Sequence, residues 1–145
     1  MAKILERRFV ARRAEFAAIR AHLESACVAL PSYFVQRFVL IAEELFCNSI
    51  EHGYGGDCDE PVWLTVTPAA DGCTLIYRDA APAHDPFVHV TLPRAQSVEA
   101  LPVGGLGVYL IGQFCTLKRY QWHAEHNVIE LFVPLESAQT AANAS

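Results

Sequence analysis

The chain is short of positive charge: 11 Lys and Arg stand against 16 Asp and Glu in 145 residues, a formal net charge of −5. That balance argues against a dedicated nucleic-acid binder, which needs a basic footprint to displace counterions from phosphates. The arginines cluster early, at Arg7, Arg8, Arg12, Arg13 and Arg20, and read as a solvated face or as a contact for an acidic partner. Long apolar runs are missing too. No stretch approaches the roughly 18 residues of a membrane span, and Met1 to Arg8 lack the apolar core of a signal peptide, so the expected location is the cytoplasm. Cys27, Cys47, Cys58, Cys73 and Cys115 are scattered, with no C-x-x-C pair. A disulfide framework or a zinc knuckle is therefore not indicated, and buried reduced thiols are expected. His22, His89, His123 and His126 show no metal-ligand spacing. Ser32 and Ser49 lack the G-x-S-x-G setting of an activated nucleophile.

What is present is a composition for one well-filled core, with 52% apolar and 19% charged residues, unlike a disordered chain. A single domain over residues 1–135 is expected, with residues 136–145, rich in Ala, Ser, Gln and Asn, as a frayed tail. Ile4 to Ala11 reads as a strand. Arg12 to Leu30 reads as a helix on Phe16, Ile19, Leu23, Cys27 and Leu30. Pro31-Ser32 starts a second helix with Phe34, Phe38, Ile41 and Leu45 inward, ending at Gly53. The period then changes. Pro61 to Thr67 alternates Val62, Leu64 and Val66 against Trp63, Thr65 and Thr67, and after the turn Ala70-Asp71-Gly72 the strand Cys73 to Arg78 completes a hairpin. Asp79 to Val103 holds four prolines and little periodicity, which suits a functional loop such as a lid, with a short helix near Arg94 to Leu101. Gly104-Gly105-Leu106-Gly107 opens a third helix through Phe114. Two last strands, Thr116 to Trp122 and Val128 to Pro134, flank a turn at His123 to Asn127. This order predicts an α+β fold: a two-layer α/β sandwich whose mixed, mostly antiparallel sheet carries its helices on one face.

Three stretches carry the candidate chemistry. Glu44, Asn48 and His52 are spaced i, i+4, i+8, which lines their side chains along the second helix. A carboxamide and a carboxylate one turn apart suit a hard cation and a proton acceptor, although a solvated polar stripe would look the same. Gly104-Gly105-Leu106-Gly107 before an apolar helical run lets backbone N–H groups approach phosphate oxygens, or makes a tight turn. Asp79 closes its strand as an acceptor for an exocyclic amine, or as a turn residue. His52 ends its helix, where an imidazole suits the negative end of the dipole.

Taken in order, Glu43 to Tyr54 (with E-x-x-x-N-x-x-x-H-G-Y inside it), Asp79 to Phe87, and Gly104 to Ile111 resemble the GHKL ATPase superfamily. More narrowly, they are similar to the anti-sigma factor serine/threonine-protein kinases of bacterial partner-switching systems, from about Ile4 to Val133. The resemblance implies the Bergerat, or histidine-kinase-like ATPase, fold, with ATP and Mg²⁺ as cofactors. It implies Glu44 as the general base that positions a protein serine hydroxyl, Asn48 as the Mg²⁺ ligand and Asp79 as the adenine reader. His52 and Ala81 would border the nucleotide, the Gly104, Gly105, Leu106 and Gly107 turn would cradle phosphate, and residues 85–103 would form a lid. The implied partners are an anti-anti-sigma (STAS-type) protein as substrate and a sigma factor held inactive, with a homodimer as the common assembly. Two positions depart from the family pattern. Asp79-Ala80-Ala81 replaces D-x-G, which puts a methyl where bare backbone would lie under the base, and His84 stands where an aromatic is common. The alternatives are a nucleotide-shaped binding module without phosphotransfer and an interaction domain without nucleotide.

Overall fold

The computed structural model describes residues 6–87 and 105–135. Strand β1 (Glu6–Val10) leads through a 3₁₀ turn (Arg13–Glu15) into helix α1 (Phe16–Ala26), followed by helix α2 (Ser32–Asn48). The backbone of α2 continues as a π turn over Ser49–Tyr54. Strands β2 (Pro61–Ala69) and β3 (Gly72–Asp79) form the first hairpin; helix α3 (Gly105–Phe114) precedes the second, β4 (Leu117–His123) and β5 (His126–Pro134).

The five strands make one sheet in the order β1-β2-β3-β5-β4, and every pairing is antiparallel. Side chains alternate between the faces of a strand, and the buried set shows which face is inward. Phe9, Val62, Leu64, Val66, Cys73, Leu75, Tyr77, Ile129, Leu131 and Val133 are buried in one cluster with Ile19, Leu23, Phe34, Phe38, Ile41, Leu45 and Ile111 of the helices. The fold is thus a two-layer α/β sandwich with helices on one face, as the element order predicts. All four inward positions expected for α2 are buried, and Phe34 stacks on Phe38 with ring centroids 5.8 Å apart. Helix α3 is seated on α2 by buried Ile111 and by the Arg37 guanidinium 4.4 Å from the Phe114 ring centre.

Several boundaries differ from those the sequence predicts. Helix α1 stops at Ala26, because Cys27 leaves helical geometry and Cys27 to Leu30 forms a turn closed by the Leu30 N–H on the Cys27 carbonyl. The second helix passes Gly53, and the left-handed residue that ends it is Gly55, with φ +83°. The β4–β5 turn is two residues rather than five. Ala124 and Glu125 both have positive φ, the geometry of a tight hairpin turn that usually takes Asn-Gly, so the strands run closer to the turn than composition suggests. Buried Cys27 and Cys73 are free thiols, as are half-buried Cys47, Cys58 and Cys115. Among the described residues no helix is long and apolar enough to cross a membrane. The expected short helix at 94–101, most of the expected lid and the tail at 136–145 lie outside the described residues.

Candidate functional site

Strand β3 directs Cys73, Leu75 and Tyr77 inward, and the same alternation carries Asp79 to the core side at the strand's end. The register places Asp79 beside Val62 of β2 and Asn127 of β5. Above this end of the sheet lies the junction of α2 with the π turn. Leu45, Asn48, Ser49, Gly53, Asp79, His84, Pro86, Asn127 and Ile129 line a cavity of about 20 Å³ there. Four separated segments therefore meet in one place. Two of the expected residues, Asn48 and Asp79, share its wall.

Asp79 is only 7% exposed, and it is held by hydrogen bonds in which it always accepts. The Ser49 hydroxyl donates to Oδ2 at 2.6 Å, the Asn127 amide donates to Oδ1 at 2.8 Å, and the Ala81 N–H donates to Oδ1 at 3.2 Å. Since the Ser49 proton is committed to Asp79, the Tyr77 hydroxyl, 2.7 Å away, is the donor to Ser49 Oγ. Burial pushes the Tyr77 phenol well above its ordinary pKa, against the lowering effect of the Ser49 hydrogen bond, so it stays a neutral donor. Ser49, Tyr77, Asp79 and Asn127 all have partners, which is the condition for keeping such a network in a core.

Asn127, itself 3% exposed, joins the carboxylate to the segment that follows β3. Its Nδ2 also donates to the carbonyls of Ala81 (3.1 Å) and Pro82 (3.0 Å), while its Oδ1 accepts from the His84 N–H (2.9 Å) and the Tyr120 hydroxyl (2.6 Å). Two donors on one side and three acceptors on the other leave one sensible orientation for the amide. Tyr54 ties the other flank, accepting from the Ala80 N–H (2.8 Å) and donating to the Pro61 carbonyl (2.6 Å). Its pKa is pushed up to about 12, chiefly by burial.

Glu44 lies one helical turn before Asn48 and is half-buried. Its carboxyl is held above the usual range by burial first, then by the charges of Glu43 and Glu51. Arg13 draws Glu51 away, bonding it at 2.9 Å and lying 3.6 Å from Asp57, while Arg20 sits 3.9 Å from Glu43. Among the described residues Glu44 has no such ion pair. A carboxylate one turn from a cavity-lining amide, with its proton affinity raised, has the chemistry of a general base.

Other expected residues fall elsewhere. The i, i+4 spacing holds from Glu44 to Asn48, but the π turn replaces α geometry before His52, which is exposed and stands outside the cavity wall with its ring 6.3 Å from that of His84. The Ala81 methyl, buried, is packed against Gly53: a Cβ added at Gly53 would lie 2.9 Å from it. Ala81 does not line the cavity, so the methyl that replaces the family glycine occupies the space left by the glycine of His52-Gly53-Tyr54. Gly105, Leu106 and Gly107 form the first turn of α3, whose leading N–H groups have no partner within the helix, and Gly104 lies outside the described residues.

Ser49, Tyr77 and Asn127 are the site residues that sequence reasoning passes over. Inward alternation along β3 signals Tyr77 and Asp79, and adjacency to Asn48 signals Ser49. Asn127 has no such signal, because only the β3–β5 register brings it to Asp79.

Among the described residues no three His, Cys, Asp or Glu side chains gather closely enough to hold a metal. One carboxamide and one nearby carboxylate fit magnesium, which takes few protein oxygens and fills its octahedron with water and substrate phosphate.

Residues 9–132 match the family whose description is histidine kinase-like ATPase domain. No curated protein matches the chain.

Proposed function

As the chain belongs to the histidine kinase-like ATPase family, we propose that it binds ATP with magnesium and phosphorylates a serine of an anti-anti-sigma (STAS-type) protein, while sequestering a sigma factor. The observation that carries the proposal is the meeting of Asn48 and Asp79 on one cavity wall, with Glu44 one turn along α2 and its proton affinity raised. Asp79 accepts the amino group of the base. The Asn48 amide oxygen is the ligand for magnesium, which would neutralise phosphate charge during transfer. Glu44 accepts the serine proton as the hydroxyl attacks. Gly105 and Gly107 offer amides to phosphate at the start of α3. The proposal includes a homodimer as the working assembly.

The cavity, at about 20 Å³, holds one water-sized group and is far smaller than a purine. Binding of the base therefore needs this cavity to widen. The test is transfer from labelled ATP to a cognate anti-anti-sigma domain. Label should appear on a serine of the partner and disappear with Glu44→Ala; transfer that survives Glu44→Ala overturns the role of Glu44.

The small cavity favours a second reading, an interaction module of the same pathway that has no phosphotransfer. Tight sigma-factor binding without label transfer by the unaltered protein is its signature.

A further inference from the structure

Asp79 accepts from three donors, Ser49, Asn127 and the Ala81 N–H, and its lone pairs are not all taken. A carboxylate offers about two acceptor directions on each oxygen. Oδ1 has both taken, by Asn127 Nδ2 at 2.8 Å and the Ala81 N–H at 3.2 Å. Oδ2 has one taken, by Ser49 at 2.6 Å. The remaining direction belongs to Oδ2, the oxygen on the Gly53 side, 3.8 Å from where a Cβ at that residue would sit, and both residues line the cavity.

Asn127 also lines the cavity, yet it has nothing to offer a ligand. Its two N–H bonds are spread over three acceptors and its oxygen already takes two donors. Its contribution is to hold one oxygen of Asp79 and to fix the carboxylate plane. We propose that Asn127 is the positioning residue for base selectivity: by filling Oδ1 and anchoring the 81–84 segment, it leaves Asp79 a single acceptor, Oδ2, aimed so that the site takes a 6-aminopurine nucleotide and rejects a 6-oxopurine one. An amino group donates to that position, whereas a carbonyl oxygen there faces a carboxylate oxygen and leaves it unpaired, which costs more than a lost contact. Without Asn127 the carboxylate rotates toward the vacated side, a second acceptor direction opens, and discrimination falls. Tyr120, which donates to Asn127 Oδ1 from the edge strand, acts one step further out.

The inference rests on the nucleotide reading above, and its experiment separates the two. Dissociation constants for Mg·ATP and Mg·ITP are measured by calorimetry on the full chain, on Asn127→Ala and on Tyr120→Phe, with circular dichroism melts to establish which variants fold. The unaltered protein should prefer ATP by about 10- to 100-fold, the worth of one hydrogen bond to a charged acceptor. In Asn127→Ala the ratio should fall about tenfold, with a smaller fall in Tyr120→Phe. A merely structural role would weaken both nucleotides equally and leave the ratio alone. An unchanged ratio in folded Asn127→Ala overturns the assignment. If that variant does not fold, an unchanged ratio in Tyr120→Phe overturns it. Absence of saturable binding of either nucleotide by the unaltered protein sinks the nucleotide reading, and the assignment with it.

Discussion

At Glu44 stability and chemistry pull in opposite directions. Its carboxyl titrates above the ordinary carboxylate range because burial, then Glu43 and Glu51, disfavour the charged form. A raised carboxylate pKa means the folded protein holds the proton more tightly than the unfolded chain, so ionisation costs stability. The cost is absent below the unfolded pKa, grows as pH rises through the window up to the folded value, and is complete above it. Glu44→Gln removes it. Because the group is partly open to solvent, the gain at pH 7 should be at most about 1 kcal/mol, vanishing near pH 4, and urea melts across this range would show it. Phosphotransfer should be lost in the same variant. If Glu44→Gln were no more stabilising at pH 7 than at pH 4, each relative to the parent, the carboxylate would not be disfavoured by its surroundings.

Between elements, the contact that shapes the site is the one where the π turn meets the segment after β3. A Cβ at residue 53 would stand 2.9 Å from that of Ala81, closer than carbon atoms settle without displacement. Gly53→Ala should therefore destabilise by about 1–3 kcal/mol, the usual range for overpacking, despite the better helix propensity of alanine. Adding Ala81→Gly should relieve most of that cost. A double-mutant cycle in denaturant would measure the coupling, and additive effects would show that the two residues do not share one space. The Asp79-Ala80-Ala81 departure from D-x-G is, on this account, matched to Gly53 rather than a direct loss at the base.

Across the molecule, ligand binding and folding are linked because the cavity is assembled from α2, the π turn, β3, the 84–86 segment and β5. No one element holds the site alone, so a ligand that binds there stabilises the whole fold. At a free concentration 100 times its dissociation constant, Mg·ATP should add roughly 2.7 kcal/mol. For a chain of this length that corresponds to a rise in Tm of roughly 5–10 °C. A melt unmoved by millimolar Mg·ATP would point to an interaction domain that does not use nucleotide.

Much of this architecture could be read from the chain alone. The stripe Phe34, Phe38, Ile41 and Leu45 and the alternation of Val62, Leu64 and Val66 specify local geometry and an inward face at once, because a helix and a strand repeat with different periods. The same local rules placed Glu44 and Asn48 one turn apart, and β3 brought Asp79 inward with its neighbours. The π turn, the two-residue Ala124-Glu125 hairpin and the reach of Asn127 to Asp79 were decided in three dimensions. Those features depend on strand register and on how one segment's backbone fits against another's, and such long-range choices leave no period in the sequence. Gly53 and Ala81, 28 positions apart, acquire their meaning only where they touch.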